Sequence, residues 1–286
     1  MSVATLTEVL GKAVGADYGV PSFNVHNLEF MQGVMRAADE LSSPVIIAIA
    51  PVSIEYAGLD ELAALARVHA VRGKIPVVIH LDHGKDIETV CRSIALGLSS
   101  VMYDGSSLPL EENIRRTREV VEVAHQAGVP VEGEIGIVGR FEDLSNGTIS
   151  ADQLRNLFTR AEDAKRFVGE TGVDALAVAV GTVHRMPIQE ARIDFQRLWE
   201  IHEAVNVPLV FHGCTGLKNE DYRAAYELGV KKFNIGTRLI KEFQKGLLKQ
   251  IEAGGRPLFA CLRGGTDSVY EAAKERIKML NSAGRA

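Results

Sequence analysis

Short apolar runs alternate along the chain with longer stretches in which apolar residues recur at helical spacing. Eight runs have the length of strands: 21–25, 44–50, 76–82, 99–105, 130–136, 175–181, 208–213 and 231–237. They are rich in Val and Ile and nearly continuous in apolar character, the pattern of strands buried on both faces. Several open on a proline (Pro44, Pro76, Pro130, Pro208), which fixes φ at a strand's first residue and blocks a helix from running into it. The intervening stretches predict helices over 28–41, 59–71, 87–96, 111–127, 151–171, 195–204, 219–228 and 239–253, with a last one near 267–280. In 111–127, Ile114, Thr117, Val120, Val121 and Ala124 fall on one face, acids open the stretch, and Gly128 follows as a helix stop. Gly73, Gly97, Gly172 and Gly229 take the same place in other units.

Eight β-then-α units in succession predict a parallel sheet, and eight is the number that closes an α/β barrel, the (β/α)8 TIM-barrel class. An open doubly wound sheet is the structural alternative. Against it, no Gly-x-Gly-x-x-Gly follows an early strand. No Ser/Gly-rich linker divides the chain, so residues 1–286 are read as one domain, with a C-terminal helical extension over about 259–286.

Composition narrows the class. The 286 residues are 46% hydrophobic and 24% charged, enough to bury a large core, so disorder is not expected. The net charge of −5 leaves no basic footprint for nucleic acid. No apolar run reaches the roughly 18 residues of a membrane span, and no secretory signal is recognisable at the N-terminus. Three scattered cysteines make no disulfide framework. A cytoplasmic protein is expected.

In barrels of this class the working surface lies where strands end and βα loops begin. Here the apolar runs end in chemistry. The first ends at Asn24 and His26, the third in Leu81-Asp82-His83-Gly84, and the fourth in Tyr103-Asp104-Gly105-Ser106. The fifth carries Glu132 and Glu134, the sixth leads into Thr182-Val183-His184, the seventh ends at His212-Gly213, and the eighth gives Asn234-Ile235-Gly236-Thr237. A lone histidine at such a place is most simply a satisfied core or loop residue. Three at equivalent strand ends point to a metal: His83, His184 and His212 offer three imidazoles and an open fourth position, the pattern of catalytic Zn²⁺. His80, inside the third run, is read as packing or as a support to a ligand. Asp82, beside a ligand, is expected to exchange a proton with substrate, the alternative being a partner that orients an imidazole. Glu134 is read either as a ligand for an alternate metal position or as a polar residue of the barrel interior. The long connection 136–149 resembles a lid, with Glu142 placed to enter the site on closure. Glycine-containing turns after the sixth to eighth runs, including Gly213-Cys214-Thr215 and Asn234 to Thr237, expose backbone N–H groups suited to phosphate, and Arg185 and Arg238 add positive charge. Cys214 is expected to be small and buried. Lys231 and Lys232 begin the eighth run and are expected on the face away from the mouth, so no lysine is expected to form a Schiff base.

In order along the chain, these motifs resemble the class II, zinc-dependent ketose-bisphosphate aldolases, in particular the tagatose- and fructose-bisphosphate aldolase branch. The resemblance rests on Phe23-Asn24-Val25-His26-Asn27, His80-Leu81-Asp82-His83, Ser100 to Ser106, Glu134-Ile135-Gly136, Glu142-Asp143, Ala179 to His184, His212-Gly213 and Asn234 to Thr237, and it covers nearly the whole chain. It implies Zn²⁺ on the three histidines, with Glu134 as an alternate ligand. Asp82 would handle the aldehyde carbonyl proton and Glu142 the proton on the ketose-derived carbon. The two turns would hold the phosphate of a dihydroxyacetone-phosphate half, beside a monovalent cation (Na⁺ or K⁺). A sugar phosphate would be the only partner besides copies of the chain itself, as a homodimer or homotetramer. Reversible cleavage beside a carbonyl needs an enediolate stabilised, which Zn²⁺ does by polarising the ketone.

The chain departs from the family pattern at four places. Arg185 follows His184 where glycine is usual, Arg140 follows Gly139 where a second glycine is usual, Cys214-Thr215 replaces a small residue plus serine, and Arg238 replaces an acid. A side chain at 185 alters the phosphate pocket, and two arginines suit a carboxylate or a phosphate held differently. The alternatives are therefore an aldolase for an acidic or singly phosphorylated sugar, a metal-dependent epimerase sharing the enediolate, and a barrel that has lost its chemistry. Retention of all three histidines and Asp82 argues against the last.

Overall fold

The computed structural model describes residues 3–186, 188–254 and 257–286. Its strands are β1 (Val20–Asn24), β2 (Val45–Ile49), β3 (Val77–Gly84), β4 (Ser100–Tyr103), β5 (Val131–Ile135), β6 (Gly139–Arg140), β7 (Ala175–Val178), β8 (Val183–His184), β9 (Leu209–Phe211) and β10 (Val230–Ile235). Eight of them, all parallel, close a barrel in the order β1-β10-β9-β7-β5-β4-β3-β2. Each barrel strand matches one of the eight expected runs, and the architecture is a (β/α)8 TIM barrel. Among the described residues no helix is long and apolar enough to cross a membrane.

Two apolar cores follow from the pleat of the strands. Outward-facing side chains such as Ile47, Ile79, Val101, Val131 and Phe211 pack beneath the helices. Inward-facing Val20, Ile46, Val78, Met102, Ala175 and Val210 fill one end of the barrel, closed there by a helix not anticipated from the sequence, Leu6–Ala13. That helix starts on a capping box in which Thr5 and Glu8 satisfy each other's backbone N–H groups.

Three expected helices differ from the observed ones by more than one residue. The expected helix 151–171 is two, Ala151–Arg155 and Ala161–Thr171. Between them the Thr159 hydroxyl donates to the Ile135 carbonyl (2.7 Å) and accepts from Ala179 N–H (2.9 Å), so the segment is pinned across the ends of β5 and β7. The helix after β10 starts two residues early, as Thr237–Glu252. The C-terminal helix runs over Leu258–Met279, well before residue 267. Gly264 and Gly265 sit inside it because it crosses Thr237–Glu252 closely. A Cβ on Gly264 would come 2.8 Å from the Gly246 carbonyl oxygen, and one on Gly265 would come 2.5 Å from the Phe243 ring.

The connection after β5 is not an open loop. Gly139 and Arg140 pair in parallel with Val183 and His184, and a short helix, Phe141–Ser145, follows. The expected lid is thus joined through its backbone to the segment carrying His184.

Candidate active site

In a regular strand neighbouring side chains point to opposite faces, so Asp82 and His83 should not both face the mouth. A break in register between β3 and β4 after Leu81, and a left-handed φ of +51° at His83, turn the imidazole back inward. Holding a non-glycine residue there costs of order 1–3 kcal/mol, a strain typical of functional positions. Gly213 makes the second adjustment. Its φ is +67°, and a Cβ would lie 2.7 Å from the Val183 carbonyl group, so only glycine lets the chain after His212 pass this close to the chain before His184.

The three expected imidazoles come together. The ring centroids of His83 and His212 are 4.4 Å apart, those of His83 and His184 5.4 Å, and those of His184 and His212 5.9 Å. One nitrogen from each lies within 4.8 Å of the others, a spacing that suits one divalent ion. His83 Nε2 and His212 Nδ1 are 2.8 Å apart. The far nitrogens meet carboxylates: His83 Nδ1 lies 2.9 Å from Asp104 Oδ2, and His212 Nε2 lies 3.0 Å from Glu132 Oε1. A lysine stands behind each carboxylate. Lys85 Nζ lies 2.6 Å from Asp104 Oδ2, and Lys232 Nζ lies 2.8 Å from Glu132 Oε2.

Protonation follows from these contacts. Burial alone would depress the His83 imidazolium, but the Asp82 charge, the Asp104 hydrogen bond and Glu134 outweigh it and raise its pKa to about 9. Burial and the His83 charge push His184 down to about 3 and His212 downward as well. His83 therefore donates to Asp104 and to His212 Nδ1, and His212 donates from Nε2 to Glu132. Burial would raise Asp82, yet the charges on His83 and Lys232 hold it well below the usual carboxylate range. Its two oxygens also accept from Asn24 Nδ2 (2.8 Å) and Asn234 Nδ2 (2.9 Å). Asp82 is an ionised acceptor held from both sides. Glu134 goes the other way: burial and the Asp104 charge raise its pKa to about 8. Its Oε2 has no hydrogen-bond partner among the described residues and lies 3.7 Å from His83 Nδ1, and together with His83 and Asp104 it forms a second donor cluster.

The turns expected to bind phosphate flank this centre. Thr215 Oγ1 accepts from the Arg238 N–H at 3.2 Å, joining the turn after β9 to the start of the helix after β10. Gly236 packs against Asn24, whose Oδ1 would lie 2.8 Å from a Cβ there, and Thr237 opens a 16-residue helix. Three side chains named at these turns do not reach the mouth. Cys214 is buried with its thiol donating to the Phe211 carbonyl (3.2 Å), and Ile235 belongs to the outer core. The Arg238 guanidinium is drawn to Glu275 (3.1 Å) and Glu242 (3.6 Å). Glu142 also stands apart, half-exposed, 3.7 Å from Arg185. Arg185 has a φ of +58°, so this position keeps the backbone of the glycine usual there while carrying a side chain.

Sequence reasoning placed Asp104 at the end of its run but gave it no role, and it missed Lys85. It also misplaced Lys232. Only Lys231 turns away, donating to the Ala16 and Tyr226 carbonyls, whereas Lys232 is sealed inside the barrel. Parity would have found it, since Lys232 is two residues from inward-facing Asn234.

The model of the class II fructose-bisphosphate aldolase family matches residues 4–285. The chain belongs to that family. It is accordingly a lyase of a metal-dependent class that acts on sugar phosphates. Solved structures of similar aldolases agree in fold. The YdjI aldolase of Escherichia coli K12 is 31% identical, with a TM-score of 0.87 over 99% of both chains. A putative fructose-1,6-biphosphate aldolase of Coccidioides immitis is also 31% identical, with a TM-score of 0.84 over 98% of this chain and 97% of that one. The fructose-bisphosphate aldolase of Campylobacter jejuni, 21% identical, shares the fold with a TM-score of 0.84 over 100% of this chain and 97% of that one. In this aldolase the donor set fits the family's chemistry: three convergent imidazoles, two of them aimed by carboxylates, beside an ionised aspartate.

Proposed function

We propose that this aldolase carries out zinc-dependent, reversible cleavage of a phosphorylated ketose, of the tagatose- or fructose-1,6-bisphosphate type, to dihydroxyacetone phosphate and an aldehyde. The observation that supports the reading is the convergence of His83, His184 and His212 within 4.8 Å beside Asp82. These three would hold the zinc, and Glu134 with His83 and Asp104 would serve an alternate position. When bound, zinc supplies Lewis acidity, polarising the substrate carbonyl and offsetting charge that develops on its oxygen. Asp82, ionised and gripped by Asn24 and Asn234, takes the proton from the substrate hydroxyl as the carbon–carbon bond breaks, and returns it in the condensation direction. Glu142, carried in by the lid, moves the proton on the ketose-derived carbon. Backbone N–H groups of Gly213 to Thr215 and of the turn Asn234 to Thr237 receive the phosphate, where the dipole of helix Thr237–Glu252 favours an anion. Exposed Leu258 and Phe259 suit a homodimer or homotetramer.

Incubation with candidate ketose phosphates should release triose phosphate. A chelator should abolish the activity, zinc should restore it, and borohydride should trap no lysine adduct. Inversion at one carbon without triose release would favour an epimerase instead. Arg185 favours a second reading, an aldolase for an acidic or singly phosphorylated sugar, since a cation occupies the place of a glycine beside His184. On that reading Arg185→Gly raises KM for an acidic ketose phosphate several-fold and leaves kcat nearly unchanged. An unchanged KM would dismiss it.

A further inference from the structure

The barrel interior just below the three histidines holds charges that the proposed reaction does not use. Glu132 and Lys232 are both fully buried and form an ion pair at 2.8 Å. His80 stands beside them, its Nε2 3.7 Å from Glu132 Oε2 and its Nδ1 2.9 Å from the Ser100 hydroxyl. Placing two ions in a sealed interior carries a desolvation cost that their attraction rarely exceeds, so such a pair is poor material for stability alone. Its geometry has a different consequence. A carboxylate can only accept, so the contact at 3.0 Å makes His212 Nε2 the N–H and leaves the lone pair on Nδ1. Nδ1 is the atom that faces His83.

We propose that Glu132 and Lys232 are positioning residues for the metal, Glu132 fixing His212 with its Nδ1 lone pair toward His83 and His184, and Lys232 holding Glu132 in place. The arrangement differs from that of His83, which offers its Nε2. Two neighbouring ligands of opposite nitrogen type therefore need two separate carboxylates to aim them. Lys232 is the only cation within ion-pair distance of Glu132 among the described residues, apart from the two histidines. It serves as the fixed counter-charge that no solvent ion can replace there.

The inference rests on the zinc reading, and zinc titration against a chromophoric chelator tests the two separately. Wild-type protein that takes no zinc overturns both. Two double variants remove both buried charges but differ in the acceptor. Glu132→Gln with Lys232→Met keeps an oxygen for His212 Nε2, whereas Glu132→Leu with Lys232→Met does not. The first is expected to bind zinc about 10–100-fold more tightly than the second, the range over which such supporting partners act. Equal affinities overturn the role of Glu132. Lys232→Met alone, which strands the carboxylate, is expected to bind more weakly than the Gln–Met double variant, and wild-type affinity in Lys232→Met overturns the role of Lys232. Long-range ¹H–¹⁵N correlation on the wild type needs no variant: the proton of His212 is expected on Nε2, and a proton on Nδ1 overturns the proposal.

Discussion

Two relays aim imidazoles at the same point, and they are built in opposite surroundings. Lys85, Asp104 and His83 stand at the rim, where the lysine side chain is 56% exposed. Lys232, Glu132 and His212 lie inside the barrel, where lysine and carboxylate are both 0% exposed. The sequence of groups is the same, lysine to carboxylate to imidazole, yet the protonation differs. At the rim, Asp82, Asp104 and Glu134 crowd one imidazole and keep it a cation up to about pH 9. In the interior, burial and the His83 charge keep His212 neutral, and Lys232 beside its carboxylate adds to the effect. On the zinc reading, the rim relay would set when a metal can enter, by competing for a proton. The sealed relay decides which nitrogen meets it.

The largest effect should come from a ligand itself. His212→Ala is expected to abolish zinc binding and aldol cleavage together, and a zinc-loaded, fully active variant would break the assignment. Next comes the carboxylate of the rim relay: Asp104→Asn should weaken zinc about 10–100-fold by leaving His83 unaimed, as read by chelator competition. A pH series sharpens the contrast. Zinc needs neutral imidazole, and the metal-stripped protein keeps a proton on His83 until about pH 9. Its apparent zinc affinity should therefore fall about tenfold for each pH unit below 9, with about one proton released at neutral pH. Calorimetry in buffers of different ionisation enthalpy counts that proton. The raised His83 pKa also stabilises the stripped fold below about 6.5, and that contribution should be lost as pH rises toward 9. Smallest is Lys85→Ala. An exposed partner is screened by salt and worth little, so zinc affinity should drop by less than about fivefold and the difference should vanish at high ionic strength. A loss as large as that of Lys232→Met would erase the distinction between the relays.

Most of the barrel was legible because strands buried on both faces leave an unmistakable mark: Val- and Ile-rich runs, opened by Pro44, Pro76, Pro130 and Pro208 and closed by polar residues. The three histidines could be read because each lies at the end of a run or within three residues of it. What escaped depends on three-dimensional parity or on close packing. Glu132 and Lys232 are far apart in sequence, and only barrel closure brings them to one interior layer. Asp82 and His83 share a mouth only because His83 adopts a positive φ, which no neighbouring residue type announces. Gly264-Gly265 disfavours an isolated helix, yet the pair sits within the long C-terminal helix because a second helix presses against it. Arg238 looks like a cation at the mouth until Glu242 and Glu275 are seen beside it.

The measurement closest to the heart of this account is diffraction from zinc-soaked crystals, recorded above and below the zinc absorption edge. A single strong anomalous peak bonded to His83 Nε2, His212 Nδ1 and the His184 ring is the expected result. A peak that misses His212, or binding of zinc only at surface carboxylates, would contradict it.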